Sequence, residues 1–323
     1  MDVLRHGEPR DGRDGLLHHR RRAQRGRRPV AGLDAGPPGV PVTAAGYRLA
    51  VLGAPIAHSK SPALHAAAYR VLGLDWSYRA VETTEATLSD VVSGEPWHGL
   101  SLTMPLKHAV RPLLAEEDAV ARATGAVNTV LVDRSGPAPR LRGFNTDVAG
   151  IVRALAEAGV VSAERVQVLG GGATAASALA AAAELGATRV DLVLRTASRA
   201  VELAPIAESL GVPLSVRSFA DWSTGAPLVI STLPGGAADG LDVPDAAVAG
   251  STLFDVAYSP WPSALARRWE QGGSPIVSGL GMLLHQALVQ VRIFVGGDPS
   301  LPLDREDEVL AAMRRAVSAG PAH

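Results

Sequence analysis

The sequence predicts an α/β fold. Two observations carry that expectation. From Tyr47 onward, short β-branched runs alternate with longer Ala- and Leu-rich helical patterns, the signature of parallel strands joined by crossover helices. At residues 166–175 one such strand runs through a glycine turn directly into one such helix. The chain has 323 residues, enough for two ordinary domains or one large one. Apolar residues make up 47% of it and aromatics only 4%, so Ala, Val and Leu must build the core.

Taken in order, residues 1–46 stand apart. They hold nine Arg and five acids among scattered Gly and Pro, with the run Arg20-Arg21-Arg22 and no apolar periodicity. Such a stretch cannot bury enough surface to offset its ordering entropy, so a disordered leader is expected. No apolar stretch follows the arginines as a secretory signal requires, and the acids argue against a transit peptide. A solvated leader is preferred to a nucleic-acid arm because no aromatic residue is interleaved with the charge. Strands are then expected at Arg48–Gly53, Thr129–Asp133, Arg165–Leu169, Arg189–Leu194, Leu228–Thr232 and Thr252–Val256. Helices are expected at Pro62–Leu72, Val148–Glu157, Thr174–Leu185, Val201–Leu210 and Gly281–Phe294. Pro62 suits the first position of its helix, with Ser61 as N-cap. The stretch Val277 to Gly296 carries His285, Gln286, Gln290 and Arg292, so it reads as an amphipathic helix rather than a membrane span.

Composition excludes several chemistries. With no cysteine there are no disulfides, thiolate nucleophiles, zinc-thiolate sites or iron–sulfur clusters. Nine scattered His show no metal-ligand spacing, so no metal is expected. The 31 basic and 32 acidic side chains nearly cancel, which points to no nucleic-acid or membrane partner. Of the 31 basic residues only Lys60 and Lys107 are lysines, the rest arginines. Arginine cannot release its proton near neutral pH whereas lysine can, so each lysine is a candidate for proton transfer. Lys60, in a serine turn, is expected to face solvent.

The segment Val166-Gln167-Val168-Leu169-Gly170-Gly171-Gly172-Ala173-Thr174-Ala175 fits a dinucleotide-binding turn. Gly170 makes the turn, Gly172 lets the backbone approach a pyrophosphate, and Ala175 allows close helix–strand packing. The helix N-terminus then presents free N–H groups to the phosphates. The next strand decides the dinucleotide. Asp191 falls at its beginning, while its carboxyl end carries Arg195, Thr196 and Arg199. Two guanidinium groups and a hydroxyl suit a 2′-phosphate, the mark of NADP, where an acid would suit the NAD ribose.

Six further polar blocks lie at strand ends and turns: Gly53–Pro62, Gly99–Lys107, Gly125–Thr129, Gly143–Asp147, Asp255–Pro260 and Gly279–Gln286. In this order they resemble the shikimate dehydrogenase family, with its patterns G-x-P-I-x-H-S-x-S-P, N-V-T-x-P-x-K, G-A-V-N-T, N-T-D-x-x-G, G-A-G-G-A, N-R-T, D-x-x-Y-x-P and G-x-x-M-L-x-x-Q. The resemblance spans about residues 48–296. It implies two α/β domains, an N-terminal substrate-binding domain and a Rossmann-type NADP-binding domain, with the active site in the cleft between them. The matching division is a leader at 1–46, substrate domain 47–147, NADP domain 148–278, and C-terminal helices 279–323 returning to the first domain. It further implies reversible, NADPH-dependent reduction of 3-dehydroshikimate to shikimate in chorismate and aromatic amino-acid biosynthesis. The setting implied is a cytoplasmic monomer or homodimer.

Residue by residue, the resemblance implies that Lys107 and Asp147 form the catalytic pair. Ser59, Ser61 and Tyr258 match the hydroxyls that hold the substrate carboxylate. Thr103, Asn128, Asp147 and Gln286 match groups that bond the ring hydroxyls. Gly170, Gly172, Ala173, Arg195, Thr196 and Arg199 match NADP contacts, with Gly279 and Met282 where the nicotinamide is expected. Local readings compete at several of these positions. Asp147 is a good helix N-cap, Asn128 a turn former and Met282 core filler. His58 and His65 read as structural, and His285 as facing away from Gln286. The sequence departs from the family where Ser101-Leu102 stands for Asn-Val, Ala173 for a loop glycine, Ala176 for a frequent Arg, Leu194 for Asn and Ser278 for Asp. Ser101 is thereby expected to lose one side-chain hydrogen bond. Two rival readings remain, an NAD-dependent quinate/shikimate dehydrogenase and a non-catalytic shikimate-binding regulator of the same fold. Arg195 argues against the first, and the presence of Lys107 and Asp147 against the second.

Overall fold

The computed structural model describes residues 46–318. The Arg-rich leader expected at residues 1–46 therefore lies, but for Gly46, outside the described residues. The α/β class holds. Six strands form a first sheet: β1 (Arg48–Gly53), β2 (Ser77–Glu82), β3 (Trp97–Leu102), β4 (Glu116–Glu117), β5 (Thr129–Asp133) and β6 (Arg140–Phe144), in the order β2-β1-β3-β5-β6-β4. Six more form a second: β7 (Arg165–Leu169), β8 (Arg189–Leu194), β9 (Leu214–Ser218), β10 (Leu228–Ser231), β11 (Thr252–Asp255) and β12 (Ile276–Ser278), ordered β12-β11-β10-β7-β8-β9.

The second sheet is wholly parallel. Its order is that of a doubly wound dinucleotide-binding sheet, reversing between β7 and β10. Crossover helices α6 (Ala173–Glu184) and α7 (Ala200–Ser209) join β7, β8 and β9. Alanines pack α6 flat on the strands. Ala175, Ala178, Ala181 and Ala182 are fully buried beside Val166, Val168, Val190 and Leu192.

The first sheet corrects the expectation of parallel pairing throughout. There β5 runs antiparallel to both β3 and β6. The connection from Asp133 to Arg140 is too short for a crossover helix, so β5 and β6 must form a hairpin. On one face of this sheet lie α1 (Ser61–Leu72) and two C-terminal helices, α10 (Gly279–Gly296) and α11 (Glu306–Ser318), which share an apolar cluster with β1 and β5 around Leu64, Tyr69, Leu288, Phe294 and Met313. A separate cluster around Trp97, Leu100 and Leu106 fills the other face with α2 (Leu88–Gly94), α3 (Leu106–Ala109) and α4 (Ala119–Thr124). Helix α10 is long and apolar enough to cross a membrane, but most of it is buried within the protein.

Helix α5 (Asp147–Glu157) leaves the end of β6 and leads to β7. It packs along α10, and Gly150 sets their spacing. A Cβ there would sit 2.9 Å from both the Gln286 Cβ and the Met282 carbonyl oxygen. The short helices α8 (Asp245–Val248) and α9 (Ala264–Gln271) complete the layer over β10–β12.

Candidate active site

A cavity of about 660 Å³ opens between the carboxyl ends of the two sheets. Ser59, Ser61, Thr103, Lys107, Asn128, Asp147, Tyr258, Gly279, Met282 and Gln286 all line it. Gly170, Gly172, Ala173, Arg195, Thr196 and Arg199 do not. They stand together at the carboxyl ends of β7 and β8, and Thr174 in the first turn of α6 touches the cavity edge.

The centre of the cavity is an ion pair. Lys107 Nζ donates to Asp147 Oδ2 at 2.6 Å, with the two side chains 12% and 5% exposed. The ammonium also reaches Thr174 Oγ1 at 3.5 Å. Lys107 sits in α3, immediately after the turn that ends β3, and its carbonyl accepts from Val127 N–H at 2.9 Å. Asp147 does not cap its helix, as one local reading would have it. Thr146 occupies the cap position without a side-chain capping bond, and the Asp147 carboxylate, on the first residue of the helix, lines the cavity.

Asn128 holds that carboxylate in place. Its amide donates to Asp147 Oδ1 at 2.7 Å and to Thr146 Oγ1 at 2.9 Å, and its oxygen accepts from Thr146 N–H at 2.9 Å and Thr129 Oγ1 at 2.9 Å. Both amide hydrogens are thereby engaged, one by Asp147 and one by the neighbouring Thr146. Asn145 Oδ1 accepts the Asp147 N–H at 2.9 Å, so the acid is fixed from backbone and side chain together.

The serine turn lies at the N-terminus of α1. Ser61 is the first residue of the helix and Pro62 the second, with Lys60 in the cap position, one step earlier than the capping pattern suggested. Ser59 Oγ accepts the Ser61 N–H at 3.3 Å. Lys60 does not simply face solvent. Its ammonium donates to the Val317 carbonyl at 3.3 Å, where a cation answers the negative end of α11. His65, one turn along α1, is wholly buried. It stacks on Tyr78 at 3.8 Å, with Nδ1 2.9 Å from the Ser61 carbonyl, and burial pulls its pKa down to about 4.

Across the cavity, Tyr258 follows β11. Asp255 anchors its loop by accepting from Ser263 Oγ at 2.6 Å and Ala257 N–H at 3.2 Å. Burial pushes the Tyr258 phenol pKa up, so the group stays a hydrogen-bond donor at neutral pH. Gly279 begins α10 against the same loop. A Cβ there would lie 2.0 Å from the Val256 carbonyl oxygen, so only glycine lets α10 start this close to β11. His285 does turn away from Gln286, lying 3.1 Å from the Glu157 carboxylate on α5.

The glycine turn has the shape its sequence suggests. Gly170 takes φ +109°, and a Cβ on it would meet Thr232 Oγ1 at 2.5 Å. A Gly171 Cβ would meet the Arg199 Cβ at 2.9 Å, which puts the stem of Arg199 against the turn. Above Gly172 nothing lies within 4 Å, and the first turn of α6 has N–H groups without helical partners. Arg195 is exposed, with one bond to the Ala237 carbonyl at 3.4 Å. Asp191 is buried at the far end of β8 and held by Arg189, Arg217 and Ser223, so no acid competes at the carboxyl end. This cradle fits a dinucleotide pyrophosphate with an extra phosphate beside Arg195 and Arg199. Among the described residues, no three His, Asp or Glu side chains gather as a metal site requires.

Among the polar lining residues, Thr174, Ser259 and Gln290 are not expected at the cavity from the sequence, His58 reads there as structural, and Ser101 is not expected as a doubly bonded group. Ser101 makes two side-chain bonds, accepting from Tyr78 and donating to Gln290. Gln290 stands four residues after Gln286, the spacing that shares a helix face, and that was its available signal.

The chain is similar to known proteins in sequence and in fold. A family model described as the shikimate dehydrogenase substrate binding domain matches residues 51–130. A Geobacter metallireducens protein named shikimate dehydrogenase (NADP(+)) is 35% identical over 83% of this chain and 97% of its own. The crystal structure of Mycobacterium tuberculosis shikimate dehydrogenase superposes with a TM-score of 0.72 at 37% identity, covering 83% of this chain and 99% of that one. A Thermus thermophilus shikimate 5-dehydrogenase, solved in complex with NADP(H) and shikimate, superposes at 0.68 with 32% identity, covering 84% and 99%.

Proposed function

The chain belongs to the shikimate dehydrogenase family, and from that premise we propose that it catalyses the reversible, NADP-dependent reduction of 3-dehydroshikimate to shikimate, a step of chorismate and aromatic amino-acid biosynthesis. The observation that carries the reading is the Lys107–Asp147 pair, placed in the cavity with Thr174 of the glycine-turn helix at its edge.

The chain's residues divide the work. Ser59, Ser61 and Tyr258, which line the same cavity, offer hydroxyl donors to the substrate carboxylate. Thr103 and Gln286 bond ring hydroxyls, while Asn128 acts on them chiefly by holding Asp147. Bound dinucleotide supplies or accepts the hydride at C3. In the reducing direction Lys107 gives a proton to the developing alkoxide at C3, and in the oxidising direction its neutral amine takes that proton. Asp147 keeps Nζ aimed at the oxygen and stabilises the ammonium between turnovers. Gly170, Gly172 and Ala173 bring the backbone to the pyrophosphate. Arg195, Thr196 and Arg199 take the 2′-phosphate, and Gly279 and Met282 flank the nicotinamide position.

On this reading residues 47–147 bind substrate, 148–278 bind NADP, and the described part of the expected 279–323 segment, through residue 318, returns to the first domain. The working form is a cytoplasmic monomer or homodimer. The test is to give purified protein shikimate or quinate with NADP+ or NAD+ and follow nicotinamide absorbance. Turnover with shikimate and NADP+ is expected to exceed the other three pairings. Silence with shikimate and NADP+ sinks the proposal, and a preference for quinate with NAD+ replaces it.

A further inference from the structure

A chain of hydrogen bonds behind the cavity fixes the polarity of one wall. Tyr78 OH lies 2.7 Å from Ser101 Oγ, Ser101 Oγ 2.8 Å from Gln290 Oε1, and Gln290 Nε2 3.4 Å from the Asn128 carbonyl oxygen. A carbonyl oxygen can only accept, so the Gln290 NH2 group must face Asn128 and its oxygen must face Ser101. Gln290 Oε1 can only accept as well, so the single hydroxyl hydrogen of Ser101 is spent on it. Tyr78 must then donate to Ser101. Its phenol is buried and its pKa pushed far up, so that hydrogen is present at any working pH. Ser101 and Gln290 are 3% and 2% exposed, which leaves little room for solvent to rearrange the set. Ser101 Oγ retains one lone pair and no hydrogen, and Ser101 lines the cavity.

We infer that Ser101 is a specificity-determining residue whose hydroxyl, held by Tyr78 and Gln290 as an acceptor only, takes a hydrogen bond from one ring hydroxyl of the substrate. It rests on the reading that shikimate occupies this cavity. An acceptor fixed in this way rewards a hydroxyl and penalises a carbonyl, carboxylate or bare methylene at the same place, because a ligand without a donor strands the lone pair.

The experiment is a cycle between residue and ligand, read by calorimetry without dinucleotide. Shikimate and three analogues, each lacking one ring hydroxyl, are titrated into the wild type and Ser101→Ala. Ser101→Ala is expected to weaken shikimate and two of the analogues by about three- to tenfold, the range for one neutral hydrogen bond. The third analogue, lacking the hydroxyl that Ser101 reads, should bind both proteins equally. Equal loss for all four ligands, or no loss for any, overturns the inference. Should Ser101→Ala not fold, Gln290→Leu serves instead. It frees the Ser101 hydrogen, lets the hydroxyl donate, and should shrink the wild-type preference for shikimate over that one analogue. An unchanged preference in Gln290→Leu contradicts the inference too. Failure of the wild type to bind shikimate at all counts against the functional reading itself, which keeps the two failures apart.

Discussion

Lys107 Nζ and Asp147 Oδ2 meet at 2.6 Å in a cavity wall where both side chains are almost removed from water. The two come from different parts of the first half of the chain, one after β3 and the other after β6. Asn128 braces the acid from a third position. A lysine so placed has its proton directed at a single point, where a freely solvated one would not.

Replacing Lys107 by Ala should therefore cut kcat at least about a hundredfold, the lower end of what a positioned proton donor contributes. Shikimate affinity should change little, since other side chains carry the carboxylate and ring hydroxyls. Steady-state rates beside calorimetric binding will check this. Full turnover in the variant removes Lys107 from the chemistry.

Arg195 is exposed and makes one long bond to a backbone carbonyl, so its loss should not disturb the fold. Arg195→Ala is expected to raise KM for NADP+ by about tenfold or more, in line with a charge-assisted bond to phosphate, and to leave KM for shikimate alone. Measured against NAD+, the same variant should show no penalty. An equal rise for NADP+ and shikimate would make the arginine a structural residue.

His65 makes stability depend on pH. Burial lowers its pKa to about 4 in the folded protein, against 6.5 for the ordinary side chain. Between those values the unfolded chain binds a proton that the folded one refuses, so stability falls as pH drops from 6.5 toward 4. The full loss from this one group is about 3 kcal/mol. Urea unfolding at pH 7 and pH 4.5, in wild type and His65→Asn, should show a smaller pH effect in the variant. Parallel losses would assign the pH dependence to other groups.

Gly279 is needed for space rather than for backbone freedom. The Val256 carbonyl oxygen stands 2.0 Å from where a Cβ would be, and backbone cannot swing aside as a side chain can. Gly279→Ala should cost about 2 kcal/mol or more through forced separation of α10 from β11. It should also lower activity, because Met282 and Gln286 ride on that helix. A denaturant midpoint equal to wild type would show that the junction yields easily.

Legibility in the sequence followed burial only in part, for β3 is buried throughout and yet its Trp97-His98-Gly99 start shows no strand-like run. Strands β1, β5, β7 and β8 stand at their expected bounds because each is a mainly apolar stretch buried for most of its length. Strands β2 and β9 lie at sheet edges and β4 is two residues long, so polar and apolar residues mix in them and no run marks them out. Helix α11 did carry a signal in Val309, Met313 and Val317, a stripe at four-residue spacing that packs on the core. The antiparallel β5–β6 hairpin was readable only from the shortness of its loop. At the site, the motif blocks brought Lys107, Asp147, Ser59, Ser61 and Tyr258 to notice. The bonds from Asn128 to Asp147 and from Tyr78 through Ser101 to Gln290 join residues 19, 23 and 189 positions apart, a kind of pairing that no local spacing announces.

The most direct test of the central claim follows the hydrogen that leaves C3. Shikimate carrying deuterium at C3, oxidised by the purified protein with NADP+, should yield 3-dehydroshikimate without the label and reduced NADP with one deuterium, seen by mass spectrometry. Reduced NADP without deuterium, or no product at all, would contradict the account.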